Sequence, residues 1–394
     1  MDTRTIPVLS RRALGRATLS RQFLLARAGI SAKEAVGHLL GLQAQNVKPP
    51  YFQLWSRIAG FDPQELSALM ESRQVLRIVT MRSTIHTHTA EDAARLRPLV
   101  QPARDREIQN FRKGLEGVDL DRLARISREL VEVEPRTMAQ LREELLKEWP
   151  DADPMSLSVA ARCRLPLVQV TPRGVWGRSG QVRLTTLEKW VGEAATDASA
   201  APEERSAASA ASAASDASAA PAGTDVLDET VLRYLAAFGP ASVKDMQTWS
   251  GLTRLRAAFD RLRPRLLVFR DEEGAELFDL PDAPRPDEDT PAPARFLPEF
   301  DNLLLSHADR SRIVPPESKG RTWRGNQAYC TFLLDGQLAG IWRLEQDKQR
   351  AELVIEAFGS ITKGQREELA EEGGRMVREM TTAEHPSVRF GPVA

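Results

Sequence analysis

The stretch DETVLRYLAAFGPASVKDMQTWSGLTRLRAAFDRLRPRLLVFRDEEGAELFDL, residues 228–280, decides how the fold is read. Asp228 to Phe238 carries apolar residues at helical spacing. Gly239-Pro240 breaks that helix, and Ser242 caps a second one running to about Trp249. Ser250-Gly251 turns the chain into a third helix, Thr253 to Arg263. Leu266 to Arg270 and Ala275 to Leu280 then flank Glu272-Glu273-Gly274 as a hairpin. Three helices followed by a β-ribbon is the order of a winged helix, whose third helix usually enters the DNA major groove. Here that helix and its exit carry Arg254, Arg256, Arg261, Arg263 and Arg265.

The same order recurs twice upstream. Helices over Leu120–Val131, Thr137–Trp149 and Met155–Arg164 precede Val168–Thr171 and Val175-Trp176, with Pro172-Arg173-Gly174 as the turn. A looser copy has helices over Ser31–Leu40, near Pro50–Ile58 and over Asp62–Ser72, then strands Val75–Thr80 and Thr84–Thr89. The simpler alternative is a set of unrelated α+β modules. The pattern predicts an α+β chain with three tandem winged-helix motifs: residues 1–118, residues 119–192 and residues 225–290. Residues 193–224, rich in Ala, Ser, Asp and Pro without apolar periodicity, are expected to be a disordered insertion. Residues 291–394 form a β-rich C-terminal region, with hairpin strands Ala328–Leu334 and Gln337–Trp342 around Asp335-Gly336, a strand Ala351–Phe358 and a final helix Gln365–Met380.

Composition narrows the function classes. At 394 residues, 42% apolar and 28% charged, this is a soluble multi-module chain with no apolar run approaching a membrane span. Its first residues lack the apolar core of a signal peptide, so a cytoplasmic location is expected. Cys163 and Cys330 lie far apart, and none of the five histidines forms a metal-ligand motif with them, so neither metal nor cofactor is expected. The net charge of −1 hides an asymmetry: residues 1–190 hold 30 basic and 21 acidic side chains, the remainder 24 and 34. A basic half can track phosphates, although ordinary surface charge explains the count as simply.

One short run carries chemistry. Leu42-Gln43-Ala44-Gln45-Asn46 follows Gly41 and precedes Pro49-Pro50, residues that end a helix and forbid its continuation. Positions i and i+2 share a face only in extended chain, so leaving the helix lets Gln43 and Gln45 aim two carboxamides at one spot. Such a pair takes up no proton near neutrality but can hold a water by hydrogen bonds. It suits a reaction with a good leaving group, whose nucleophile needs only placement. The plainer reading is two polar loop residues bonded to backbone. Met81 to His88 alternates as a strand, with Arg82, Thr84, His86 and His88 on one face toward DNA, substrate or solvent. Asp301 can pair with an arginine, Asp309 and Arg310 can form such a pair, and His307 reads as a hydrogen-bonded structural residue.

Leu40-Gly41-Leu42-Gln43-Ala44-Gln45, Met81-Arg82-Ser83-Thr84-Ile85-His86 and Leu297-Pro298-Glu299-Phe300-Asp301-Asn302 with His307-Ala308-Asp309-Arg310 resemble the AlkZ/YcaQ-type family of bacterial winged-helix DNA glycosylases. Trp176-Gly177 and Thr185-Thr186-Leu187-Glu188-Lys189-Trp190 fit as well. The resemblance implies a curved scaffold of tandem winged helices with a β-rich C-terminal part. It implies excision of N7- or N3-alkylated purines from double-stranded DNA, bulky adducts and interstrand crosslinks included. Gln43-Ala44-Gln45 matches the family's Gln–aliphatic–Gln catalytic signature. Arg82, Thr84, His86, Arg254, Arg256, His307 and Arg310 are the residues expected to contact DNA. No membrane is involved, and the expected form is a monomer at the bacterial nucleoid. The competing readings are a winged-helix transcription regulator without chemistry and a protein-interaction scaffold.

Overall fold

The computed structural model describes residues 6–192, 222–325, 327–347 and 349–392, so most of the Ala/Ser-rich tract lies outside the described residues. Helix Ala32–His38 is capped by Ser31, whose hydroxyl accepts from the Glu34 N–H while Glu34 bonds back. Leu40 and Gly41 then take positive φ, 53° and 92°. A Cβ on Gly41 would collide with the His88 ring, so only glycine fits this exit. The chain leaves the helix as the short strand Leu42–Gln43, antiparallel to Ile85–Thr89, with Gln43 opposite His86. Pro49 and Pro50 open the next helix, Pro49–Trp55, where their missing N–H groups cost nothing.

The first two segments are not separate modules. Their strands build one five-stranded sheet in the order Leu42–Gln43, Ile85–Thr89, Val75–Val79, Leu167–Gln169, Leu184–Thr186. Val75–Val79 pairs on one side with Ile85–Thr89 and on the other with Leu167–Gln169, so each segment covers the other's open edge. The expected hairpin of Val168–Thr171 with Val175-Trp176 does not form. Leu167–Gln169 pairs instead with Leu184–Thr186. The intervening turn folds back on the first segment, where Tyr51 donates to the Gly174 carbonyl and stacks near Trp176, 4.8 Å between ring centres.

Residues 222–279 follow the expected order of helices, Ala222–Phe238, Val243–Ser250 and Arg256–Leu262, then strands Leu267–Arg270 and Glu276–Asp279. The third helix starts later than its sequence suggests, because Arg254 takes φ 61° in the loop before it. The C-terminal sheet runs His385–Phe390, Arg350–Ala357, Gln337–Gln346, Cys330–Leu334, Arg295–Leu297, and helix Lys363–Met380 packs on it. One apolar core joins the first segment, the third segment and this sheet, while helices Leu120–Val133, Met138–Glu148 and Pro154–Arg164 surround a second core.

Charges are buried where these parts meet. Arg57 donates through both terminal nitrogens to the Asp301 carboxylate, 2.8 and 2.7 Å, and both side chains are fully buried. Arg21 meets Asp279 in the same way, tying helix Arg11–Arg21 to the third segment. His86, His88 and His307 are 1% exposed or less. This corrects the expectation that His86 and His307 touch DNA. His86 sits inside the sheet with Nδ1 against the Thr84 carbonyl, and His307 bonds through Nε2 to the Phe238 carbonyl. Burial disfavours the imidazolium, lowering all three and bringing His88 down to about 4.

Two outcomes follow from these buried groups. Asp301→Ala strands the Arg57 cation and is expected to cost about 3–5 kcal/mol in urea unfolding, with Arg57→Met/Asp301→Leu recovering part of the loss. The depressed histidines bind protons more readily when unfolded, so their contribution is whole above pH 6.5 and lost as pH falls toward about 4 for His88. The expected slope is about 1.4 kcal/mol per pH unit per histidine. Urea midpoints at pH 7 and pH 5 check it, and a higher midpoint at pH 5 would contradict it.

Candidate active site

The ladder begun by Leu42–Gln43 continues with Ala44 N–H donating to the Ile85 carbonyl at 2.8 Å, so the chain leaves the helix extended through Ala44 before it bends at Gln45. Gln43 Oε1 accepts from Arg82 Nη2 at 2.5 Å, and Gln45 Oε1 accepts from the Ile85 N–H at 2.9 Å. Both partners can only donate, so the atoms they meet are the amide oxygens. Each amide therefore has its oxygen anchored to the protein, and neither Nε2 donates to a described residue. Gln43 is 4% exposed, whereas Gln45 stands on an open wall. Ala44 between them is buried in full.

The backbone of this run is held as firmly as its side chains. Arg77 reaches the Ala44 carbonyl at 2.8 Å and the Asn46 carbonyl at 3.4 Å. Gln53 donates to the Gln43 carbonyl, and Asn302 to the Gly41 carbonyl at 2.8 Å. Every acceptor that Arg77 and Arg82 find among the described residues is an amide carbonyl. Burial, helped by Arg173 near Arg77 and by Arg310 near Arg82, brings each down to about 10. Both stay protonated at neutral pH, so two cations without local counter-charge lie beneath the motif.

Gln45 and Asn46 line a cleft of about 900 Å³ between the first segment and the C-terminal sheet. Facing them are Glu299, Phe300, Cys330 and the small hairpin Trp323–Arg324 with Gln327–Ala328. Asn46 Nδ2 donates to Glu299 Oε1 at 2.9 Å, and the Cys330 thiol meets Glu299 Oε2 at 3.1 Å. Burial and then the Glu299 charge push the Cys330 thiol well above its usual range, so it remains a donor. Phe300, at φ 61°, packs edge-on to Trp323 with ring centres 5.5 Å apart. It also borders a second cavity of about 630 Å³ that contains Arg310.

The structure gathers some expected site residues and separates others. Gln43, Gln45 and Arg82 come together. Arg82 lies in the turn Met81–Ser83 at φ 53°, not on a continuous strand, and from there it reaches both Gln43 and the Trp249 carbonyl. Thr84 is half-buried and bonds the Met81 carbonyl. Arg310 is exposed on the neighbouring cavity, and its guanidinium has no hydrogen-bond partner among the described residues. Arg254 and Arg256 belong to the third segment and do not border the cleft. Arg256 pairs with Asp260 and Glu276, Arg261 with Asp228, and Arg263 with Glu276. Sequence reasoning missed Arg77, Asn46 and Glu299. For Arg77 the available signal was a lone charge inside the apolar strand Val75-Leu76-Arg77-Ile78-Val79.

Comparison with known proteins places this geometry. A sequence search of curated proteins finds no match. The solved structure of the Streptomyces sahachiroi DNA glycosylase AlkZ is similar over 98% of this chain and 100% of that one, with a TM-score of 0.73. The two are 19% identical in sequence, so this likeness speaks for the fold. The family model described as DNA glycosylase AlkZ-like matches residues 36–378, a span that contains Gln43, Gln45, Arg82 and Glu299. The chain belongs to the AlkZ-like DNA glycosylase family.

Proposed function

We propose that this chain is a monofunctional DNA glycosylase that hydrolyses the N-glycosidic bond of N7- or N3-alkylated purines, with water held by Gln43 and Gln45. The observation that carries the reading is that each amide has its oxygen fixed by a donor and its Nε2 left over. An Nε2 N–H can hold a water by one lone pair, leaving the other to attack C1′ and the water's protons free. Alkylation at N7 makes the purine cationic, so it departs without protonation by the enzyme. The protein then has to place water at C1′ and steady a sugar with oxocarbenium character.

The cleft supports a lesion that cannot enter a tight pocket. It is open along one side, and a second cavity adjoins it beyond Phe300, which leaves room for a bulky adduct or a crosslinked strand. The helix–helix–helix–hairpin order of residues 222–279 supports the winged-helix reading, and the uncompensated Arg77 and Arg82 support an anionic partner. Arg310 and Arg254 are exposed and positioned for phosphates in a protein acting as a monomer at the nucleoid. The regulator alternative has less to stand on, because three arginines of its reading helix already face carboxylates.

Release of 7-methylguanine from a labelled duplex tests the reading. Gln45→Ala is expected to slow single-turnover release by about 100-fold or more, in line with the loss of a positioned nucleophile. Equal rates would remove Gln45 from the mechanism, and no release by wild type from several N7 adducts would favour the regulator. Affinity for undamaged duplex should fall steeply between 50 and 200 mM salt, read by fluorescence anisotropy. Lys48 is an exposed amine on the cleft wall, so borohydride trapping checks the monofunctional assignment. The expected result is no covalent protein–DNA adduct.

A further inference from the structure

The two anchored amides leave one requirement unmet. N–H groups hold a water by its oxygen and offer nothing to its protons. A group able to take a proton and to face a cationic sugar has to come from elsewhere in the cleft. Glu299 lies across the same cleft from Gln45, bonded to Asn46, the next residue after it in the chain.

Three features set Glu299 apart from a surface carboxylate. It has no Lys, Arg or His within 4 Å among the described residues, although basic side chains surround the cleft: Lys48, Arg324 and Arg343. Its two described contacts are one amide N–H and one weak thiol donor, which leave most of its charge uncompensated. Its position is fixed by the residues that follow it. Two residues on, Asp301 is locked to Arg57, and Asn302 is tied to Gly41 at the root of the glutamine motif. A bare carboxylate facing a phosphate-binding groove weakens DNA binding by charge repulsion. Chemistry gives it a reason to be there.

Resting on the glycosylase reading above, we infer that Glu299 is a catalytic carboxylate, facing the developing positive charge on the sugar and accepting the proton of the attacking water. As the C1′–N bond breaks, its electron pair leaves with the alkylated purine, which departs neutral. The water oxygen bonds to C1′. One of its protons passes to the Glu299 carboxylate and from there to solvent. The Asn46 and Cys330 hydrogen bonds hold the carboxylate in place without neutralising it.

Glu299→Gln separates this role from that of a bracket for the Asn46 loop, because the amide oxygen still accepts from Asn46 while the charge is gone. Single-turnover release of 7-methylguanine is expected to slow by about 100-fold or more. Binding to undamaged duplex should stay level or tighten. Glu299→Asp, which keeps the charge, should recover part of the rate. Release by E299Q within about threefold of wild type would overturn the inference, as would a matching loss of duplex binding, which marks a bracket. Absence of release by wild type sinks the glycosylase reading and this inference with it, whereas equal rates sink the inference alone.

Discussion

The buried ion pair between Arg57 and Asp301 is the constraint on which the site depends. A charge pair removed from water is costly unless nearly every hydrogen-bonding position is filled, and here the guanidinium reaches a carboxylate, the Gln53 carbonyl and the Gln22 side chain. The pair joins residues 244 apart in sequence. It fastens the loop after strand Arg295–Leu297 to the turn that follows helix Pro49–Trp55, the helix whose Gln53 also holds the Gln43 carbonyl. Glu299 and the glutamine run are thus referred to the same rigid anchor. Both side chains are fully buried, which keeps water away and strengthens the attraction.

A second consequence of burial concerns the orientation of the amides. An amide side chain free in solvent rotates and offers either end. In this fold an arginine and a strand N–H each take an oxygen, which fixes the polarity of both amides. Arg82 can do this because its own backbone turns at positive φ and its other terminal nitrogen is held by the Trp249 carbonyl in the third segment. The site therefore draws on three parts of the chain, and the third segment contributes by holding Arg82 rather than by lining the cleft.

Much of this was legible in the sequence, for identifiable reasons. The exit from helix Ala32–His38 was written in Gly41 and the two prolines, residues whose backbone limits are local. The hairpin at Asp335-Gly336 and the caps at Ser31, Asp62 and Ser242 were equally local. What could not be read was pairing at long range. Nothing in residues 167–186 announces that their strands complete the sheet of residues 75–89, because a strand's neighbour is chosen by edge availability and not by composition. His86 misled because polarity suggests exposure, while a buried imidazole with a carbonyl partner has the same sequence signature; His307, read from the residues as a hydrogen-bonded structural side chain, is one. Glu299 was quoted within a motif, yet its meaning depends on Asn46, far away in the chain.

The sheet shared by the first two segments limits how this protein can have changed over evolutionary time. Neither half can be duplicated, lost or exchanged alone without baring a strand edge that invites association with another chain. Growth in length is tolerated best where no ladder is interrupted. The junction between helix Leu187–Val191 and helix Ala222–Phe238 meets that condition, since the last strand of the shared sheet is already complete before it. The Ala/Ser-rich tract falls at this junction, where a change of length leaves every strand pair of the shared sheet in place.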